Sequence, residues 1–184
     1  MRVFAALPVE GAARTELEQL LVDFERRGLP VKWVRNHGLH VTVKFLGEIE
    51  PDRLDAIQEK LAAACAGTPP LSFRATEIGA FPSFQRARIL WAGYESESAL
   101  ELMVHRVEQG LEALGFPVEG RAFRPHVTLG RVREGARLPP EEVARLESAR
   151  LSAGFTADRL VLFESHPGPG GSTYAELTSF ALHR

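Results

Sequence analysis

The chain has 184 residues and a mass of 20.3 kDa, with 45% hydrophobic and 25% charged residues. That is the usage of a globular protein with one sizeable core, and it excludes a disordered or fibrous chain. A net charge of −2 and a pI near 6.3 exclude a surface that is basic throughout, so any polyanion has to be held by a local patch. The single cysteine, Cys65, leaves no intramolecular disulfide and no cysteine-cluster metal site. No apolar run approaches the roughly 20 residues that span a bilayer. The opening MRVFAALPVEG makes a poor signal peptide, and a soluble cytoplasmic protein is the expectation.

In chain order, the apolar Arg2–Leu7 ahead of Pro8 reads as a strand. Ala13, Leu17, Leu20, Leu21 and Phe24 then recur at helical spacing up to Gly28. Val31–Val34 and Leu39–Leu46 read as strands. Pro51 opens a helix with Leu54, Ile57, Leu61 and Cys65 on one face, closed by Pro69-Pro70. On that apolar stripe Cys65 reads as core packing rather than a nucleophile.

Strands over Leu71–Ile78 and Arg88–Tyr94 flank a loop carrying Phe81, Pro82, Ser83 and Phe84. Aromatic residues in such a loop more often plug a core gap, with stacking on a base as the alternative. Ser98 is placed as the cap of a helix with Leu100, Val104, Val107, Leu111 and Leu114 on its stripe, stopped by Gly115 and Pro117. Phe123–Val132 reads as a strand, Pro140 opens a short helix with Val143 and Leu146, and Leu160–Glu164 with Tyr174–Leu182 form a hairpin. Its Gly-rich loop 168–171 lacks the lysine and following helix of a phosphate-binding loop. The elements intermix without regular βα alternation, which makes the fold α+β.

One internal similarity stands out. His40-Val41-Thr42-Val43 and His126-Val127-Thr128-Leu129 are near-identical tetrapeptides 86 residues apart, about half the chain. In a strand, side chains alternate faces, so each His and Thr at i and i+2 point the same way while the apolar partners point into the core. Each copy thus presents an imidazole, the natural proton donor or acceptor near neutral pH, and a short hydroxyl. Two facing copies put one histidine on either side of a reacting group. No His-Glu-x-x-His helix or third ligand cluster supports zinc, and neither metal nor cofactor is expected.

Residues 121–133 hold Arg121, Arg124, Arg131 and Arg133 and no acid, and an arginine fork suits a phosphate. Strict alternation puts Arg131 on the face away from His126, and Gly130 offers a bend that returns it. Lys32, Arg35 and Lys44 add charge near the first copy, with Lys44 on the His40/Thr42 face by parity. His37, His105, His166 and His183 read as surface residues.

These motifs resemble the two-histidine (2H) phosphoesterase superfamily, in particular its 2′-5′ RNA ligase-like, RNA 2′,3′-cyclic phosphodiesterase branch. The likeness covers nearly the whole chain: Arg2–Leu7, His40–Val43 with Phe45-Leu-Gly47, Phe81-Pro with Leu90-Trp91, Phe123–Leu129 with Arg131, and a late Ser165 and Tyr174 pairing. It implies a bilobal α+β fold over 1–184, a single catalytic domain of two similar half-chain units, with antiparallel sheets, outer helices and a central cleft. It implies metal-independent hydrolysis of RNA 2′,3′-cyclic phosphate ends to 2′-phosphates, with reversible 2′-5′ ligation in some members. His40 would then be the proton donor and His126 the acceptor, although the near-twin motifs themselves do not order them. Thr42, Thr128 and Arg131 would hold the phosphate oxygens. The expected partners are RNA ends or small cyclic-phosphate nucleotides bound to a monomer. A relative acting on small cyclic nucleotides or an ADP-ribose cyclic phosphate, or a non-catalytic RNA-end binder using the same cleft, fits the same residues.

Overall fold

A computed structural model describes residues 1–35, 38–168 and 171–183; His37, and Pro169 and Gly170 of the Gly-rich loop, lie outside them. In order, the chain forms β1 (Arg2–Pro8), α1 (Gly11–Arg26), β2 (Val31–Trp33), β3 (His40–Glu48), α2 (Leu54–Cys65), β4 (Leu71–Phe81) and β5 (Ile89–Ser96). It continues with α3 (Ser98–Glu112), β6 (His126–Val132), α4 (Pro140–Ser148), β7 (Phe155–Ala157), β8 (Arg159–His166) and β9 (Thr173–Ala181). The architecture is α+β, as expected.

Among the described residues, nine strands make one antiparallel sheet in the order β7-β4-β5-β6-β3-β1-β8-β9, with β2 also on β6. The two expected sheets are its two arms, joined where β3 meets β6 through the pair Val41↔Val127. One face packs against the helices. Val3, Ala5, Leu7, Val41, Val127 and Leu129 enter a core with Leu17 of α1, Ile57 and Leu61 of α2 and Leu111 of α3. The stripes read from the sequence are therefore the buried ones, and they supply the main hydrophobic driving force. Cys65 sits in this core at 2% exposure, and burial pushes its thiol up to about 12. The other face carries a small cluster of Phe4, Ala6, Val161 and Phe163, with Tyr174 packed on it. The Ser165↔Tyr174 pairing lies in the β8–β9 ladder.

Some boundaries differ from the sequence reading. Glu97, not Ser98, takes the cap position of α3, and no side chain caps it. β4 runs on to Phe81, so that ring ends a strand rather than riding a loop. Phe84 packs partly buried against the core. β7 was not anticipated; its three residues pair with Leu71–Phe73 and are held by Phe155 stacked on Phe73 at 4.5 Å.

A larger correction concerns Lys44. In the β1–β3 ladder Ala5 faces Lys44 and Ala6 faces Thr42, so Val43 has no residue opposite it. This bulge breaks alternation: Val43 and Lys44 are both buried, and the exposed position falls to Phe45. Lys44 therefore leaves the His40/Thr42 face and enters the core at 2% exposure. Its Nζ donates to Glu108 Oε1 and Oε2 at 3.0 and 2.7 Å and to the Pro117 carbonyl at 2.6 Å. Glu108 also accepts from the Glu119 N–H at 3.3 Å. The pair thereby ties β3 to α3 and to the segment leading into β6. Removing one member leaves a buried charge uncompensated, so Lys44→Met should lower unfolding free energy by about 3 kcal/mol. The double variant Lys44→Met/Glu108→Leu should recover most of it. Denaturant unfolding of the two variants checks this, and equal losses would refute the account.

Candidate active site

The joint between the arms positions the site. With Val41 opposite Val127 in an antiparallel ladder, His40 stands opposite Thr128 and Thr42 opposite His126, all four on the face turned from the helices. The two histidines lie on a diagonal, which in a regular ladder spans about 7–8 Å. Both valines are fully buried, so the platform beneath is rigid. All four side chains are half-buried, open to the cleft but backed by sheet.

β6 repeats the irregularity of β3. Leu90 faces Gly130 and Trp91 faces Thr128, so Leu129 has no residue opposite it. The bulge turns Arg131 onto the cleft face, as the sequence reading anticipated from Gly130. Gly130 is required by crowding: a Cβ there would lie 2.6 Å from Val31 Cγ1 and 2.8 Å from Trp33 Cε3. Because β6 runs antiparallel to β3, Arg131 reaches the His40 end. It lines a cavity of about 450 Å³ with His40, Thr42, Thr128 and Arg2. Arg131 follows His126 by five residues and Phe45 follows His40 by five. Phe45, 63% exposed, is thus the counterpart of Arg131. With Thr42, Thr128, His126 and Arg124 it lines a second cavity of about 510 Å³. The two cavities share Thr42, Phe45 and Thr128, so the histidines open onto one continuous cleft.

Each imidazole sits in an aromatic surround. His40 has Phe4 at 4.9 Å, Phe163 at 5.8 Å and Tyr174 edge-on at 5.3 Å. Desolvation by these rings lowers its pKa to about 4, which leaves His40 neutral in the free protein near pH 7. His126 meets Phe81 edge-on at 5.2 Å and Trp91 at 6.2 Å. Its Nδ1–H donates to the Arg124 carbonyl at 2.8 Å, which fixes the ring and leaves Nε2 for the cleft.

Of the other residues singled out in the sequence, Arg121 and Arg124 flank the second cavity, whereas Arg133 is exposed and lines neither cavity. His105, His166 and His183 are exposed. Among the described residues, no three His, Cys, Asp or Glu side chains gather as a metal site, and no helix is long and apolar enough to cross a membrane. Sequence reasoning missed the placement of Phe45 and the cage around His40. The five-residue offset shared by Phe45 and Arg131 was the available signal for the first.

Two imidazoles and two hydroxyls diagonal to one another, with an arginine at one end, form a site able to give a proton to one side of a phosphoryl group and take one from the other. The chain belongs to the LigT like phosphoesterase family, whose profile matches residues 7–91 and 94–174. It is 31% identical to a protein of Archaeoglobus fulgidus named RNA 2′,3′-cyclic phosphodiesterase, over 98% of this chain and 99% of that one. A protein of the same name from Geobacillus stearothermophilus is 30% identical over 89% of this chain, which spans about half (52%) of that relative's length. The crystal structure of TT0787 of Thermus thermophilus superposes with a TM-score of 0.82 at 26% identity, over 100% of this chain and 98% of that one.

The pKa of His40 has a sign-definite consequence. An unfolded histidine takes a proton near pH 6.5, whereas His40 in the fold resists it down to about 4. Its stabilising contribution is therefore complete above 6.5 and lost as pH falls from 6.5 through 4, by about 3 kcal/mol in all. His40→Gln should flatten this part of the stability–pH curve, measured by urea unfolding at pH 7, 5.5 and 4.

Proposed function

We propose that this chain hydrolyses RNA 2′,3′-cyclic phosphate ends to 2′-phosphates, as one catalytic domain of two similar half-chain units acting as a cytoplasmic monomer. The His40–Thr128, Thr42–His126 square on a single rigid joint carries the reading. The names of the relatives that match the chain support it. Thr42 and Thr128 donate to the non-bridging oxygens, and Arg131 adds charge at the His40 end. His126, its Nδ1 committed to the Arg124 carbonyl, accepts a proton from water at Nε2. The resulting hydroxide attacks phosphorus, and the bond to the ribose 3′ oxygen breaks. His40 protonates that oxygen.

Because His40 is neutral in the free protein, it acquires its proton when the negative phosphodiester enters beside it and raises its pKa. The acid is thus armed by substrate. No metal is needed, because the two threonines and the arginine supply the transition-state donors.

His40→Ala and His126→Ala should each lower turnover of a 2′,3′-cyclic nucleotide by about 10²–10⁴-fold while the protein stays folded. Activity should persist in EDTA, and a loss restored by a divalent ion would remove this mechanism. Arg131→Lys should be impaired, but less than Arg131→Ala. Turnover of a cyclic mononucleotide against an RNA oligomer with the same end tests the substrate. The acid limb of kcat/KM against pH should lie near 4, well below the usual histidine range, because it belongs to the lower of two macroscopic pKa values whichever way the proton travels. An acid limb at 6.5 contradicts the cage's effect on His40.

A further inference from the structure

Beyond His126 the cleft continues into a third cavity, of about 340 Å³, which the hydrolytic mechanism does not use. Its construction is specific. Trp91, on β5, lies against the sheet where two glycines have cleared space for it. A Cβ on Gly79 would come within 2.1 Å of Trp91 Cζ2, and one on Gly93 within 2.9 Å of Cζ3. Gly79 is Trp91's partner in the β4–β5 ladder and Gly93 is His126's partner in the β5–β6 ladder. The Phe81 ring flanks the indole at 5.1 Å and touches His126 edge-on. Trp91 Nε1 is buried and has no hydrogen-bond partner among the described residues. With no accessible surface, that N–H is closed to a ligand, so what the indole offers the cavity is apolar ring surface.

Charge separates the two ends of the cleft. The cavity beside His126 is lined by Glu77, Glu95, Glu97 and Glu101 against the single Arg124. Among the described residues, the cavity beside His40 carries Arg2 and Arg131 and no carboxylate. A phosphate is repelled from the first end and drawn to the second. A flat, uncharged group with N–H donors at its edge suits the first: it covers the aromatic platform and donates to carboxylate.

We propose that the Trp91 cavity is a nucleobase subsite selecting bases that carry an exocyclic amine, and that it sets the direction in which RNA lies. The terminal base enters past His126, and the phosphates of the remaining strand leave past Arg131 and Arg2. The inference rests on the reading of this chain as a cyclic phosphodiesterase.

Trp33 is the only other tryptophan, and it packs against Phe24 at 5.3 Å, on the helix side of the sheet. In a Trp33→Phe background, Trp91 is therefore the sole indole reporter. Adding 2′-CMP should quench its fluorescence saturably, whereas inorganic phosphate or ribose 5-phosphate should not. Separately, kcat/KM for 2′,3′-cyclic CMP should exceed that for 2′,3′-cyclic UMP by about tenfold, the value of one hydrogen bond to a charged acceptor. The preference should collapse in Glu77→Gln/Glu97→Gln/Glu101→Gln. Turnover with no quenching and no cytosine preference overturns the subsite and leaves the catalytic reading standing. Quenching by 2′-CMP with no turnover of any cyclic nucleotide overturns the catalytic reading and keeps the base site.

Discussion

The site depends on one rung of β-ladder. Val41 and Val127 are the pair through which β3 reaches β6, and both are fully buried. The four candidate side chains are counted from that rung: one residue before it is a histidine and one after it a threonine, on each strand. A slip of one residue in either strand would turn its histidine into the core and its valine into the cleft. Two further contacts oppose such a slip. β2 holds the far end of β6 through Val31–Trp33, and Lys44 locks β3 to Glu108 and the Pro117 carbonyl. The site is built where two arms touch, and the buried ion pair anchors one of the two strands that meet there.

Local physics explains why much of this is legible in the sequence. Helical stripes such as Leu17, Leu21 and Phe24 follow from periodicity alone. The HxT pairs follow from strand parity, and their repetition shows that the pattern matters. Arg131 was reachable because a glycine precedes it where alternation would otherwise point it away. Lys44 was misplaced by the same parity rule. A bulge is a property of two strands rather than one, and no glycine marks it in β3. The cage around His40 was out of reach for a related reason. Phe4, Phe163 and Tyr174 come from β1, β8 and β9, and only the sheet order brings them to one imidazole.

Burial acts differently at the two histidines. His40 is enclosed by three rings, and desolvation alone sets its preference for the neutral form. His126 is oriented by a backbone carbonyl and touches rings only at its side. The two imidazoles are therefore not interchangeable: one is held neutral by its cage until a negative group comes beside it, and the other has its tautomer fixed with Nε2 free.

The matching bulges in β3 and β6 carry a consequence about handedness. With the same residue five places past each histidine, the two strands would present matching side chains at those positions. Phe45 and Arg131 occupy corresponding places with opposite chemistry, a hydrocarbon face at one and a fixed positive charge at the other. That difference joins the rings around His40 and the carboxylates beyond His126 in making a near-palindromic frame directional. The arms share one frame, and five residues past each histidine their chemistry parts.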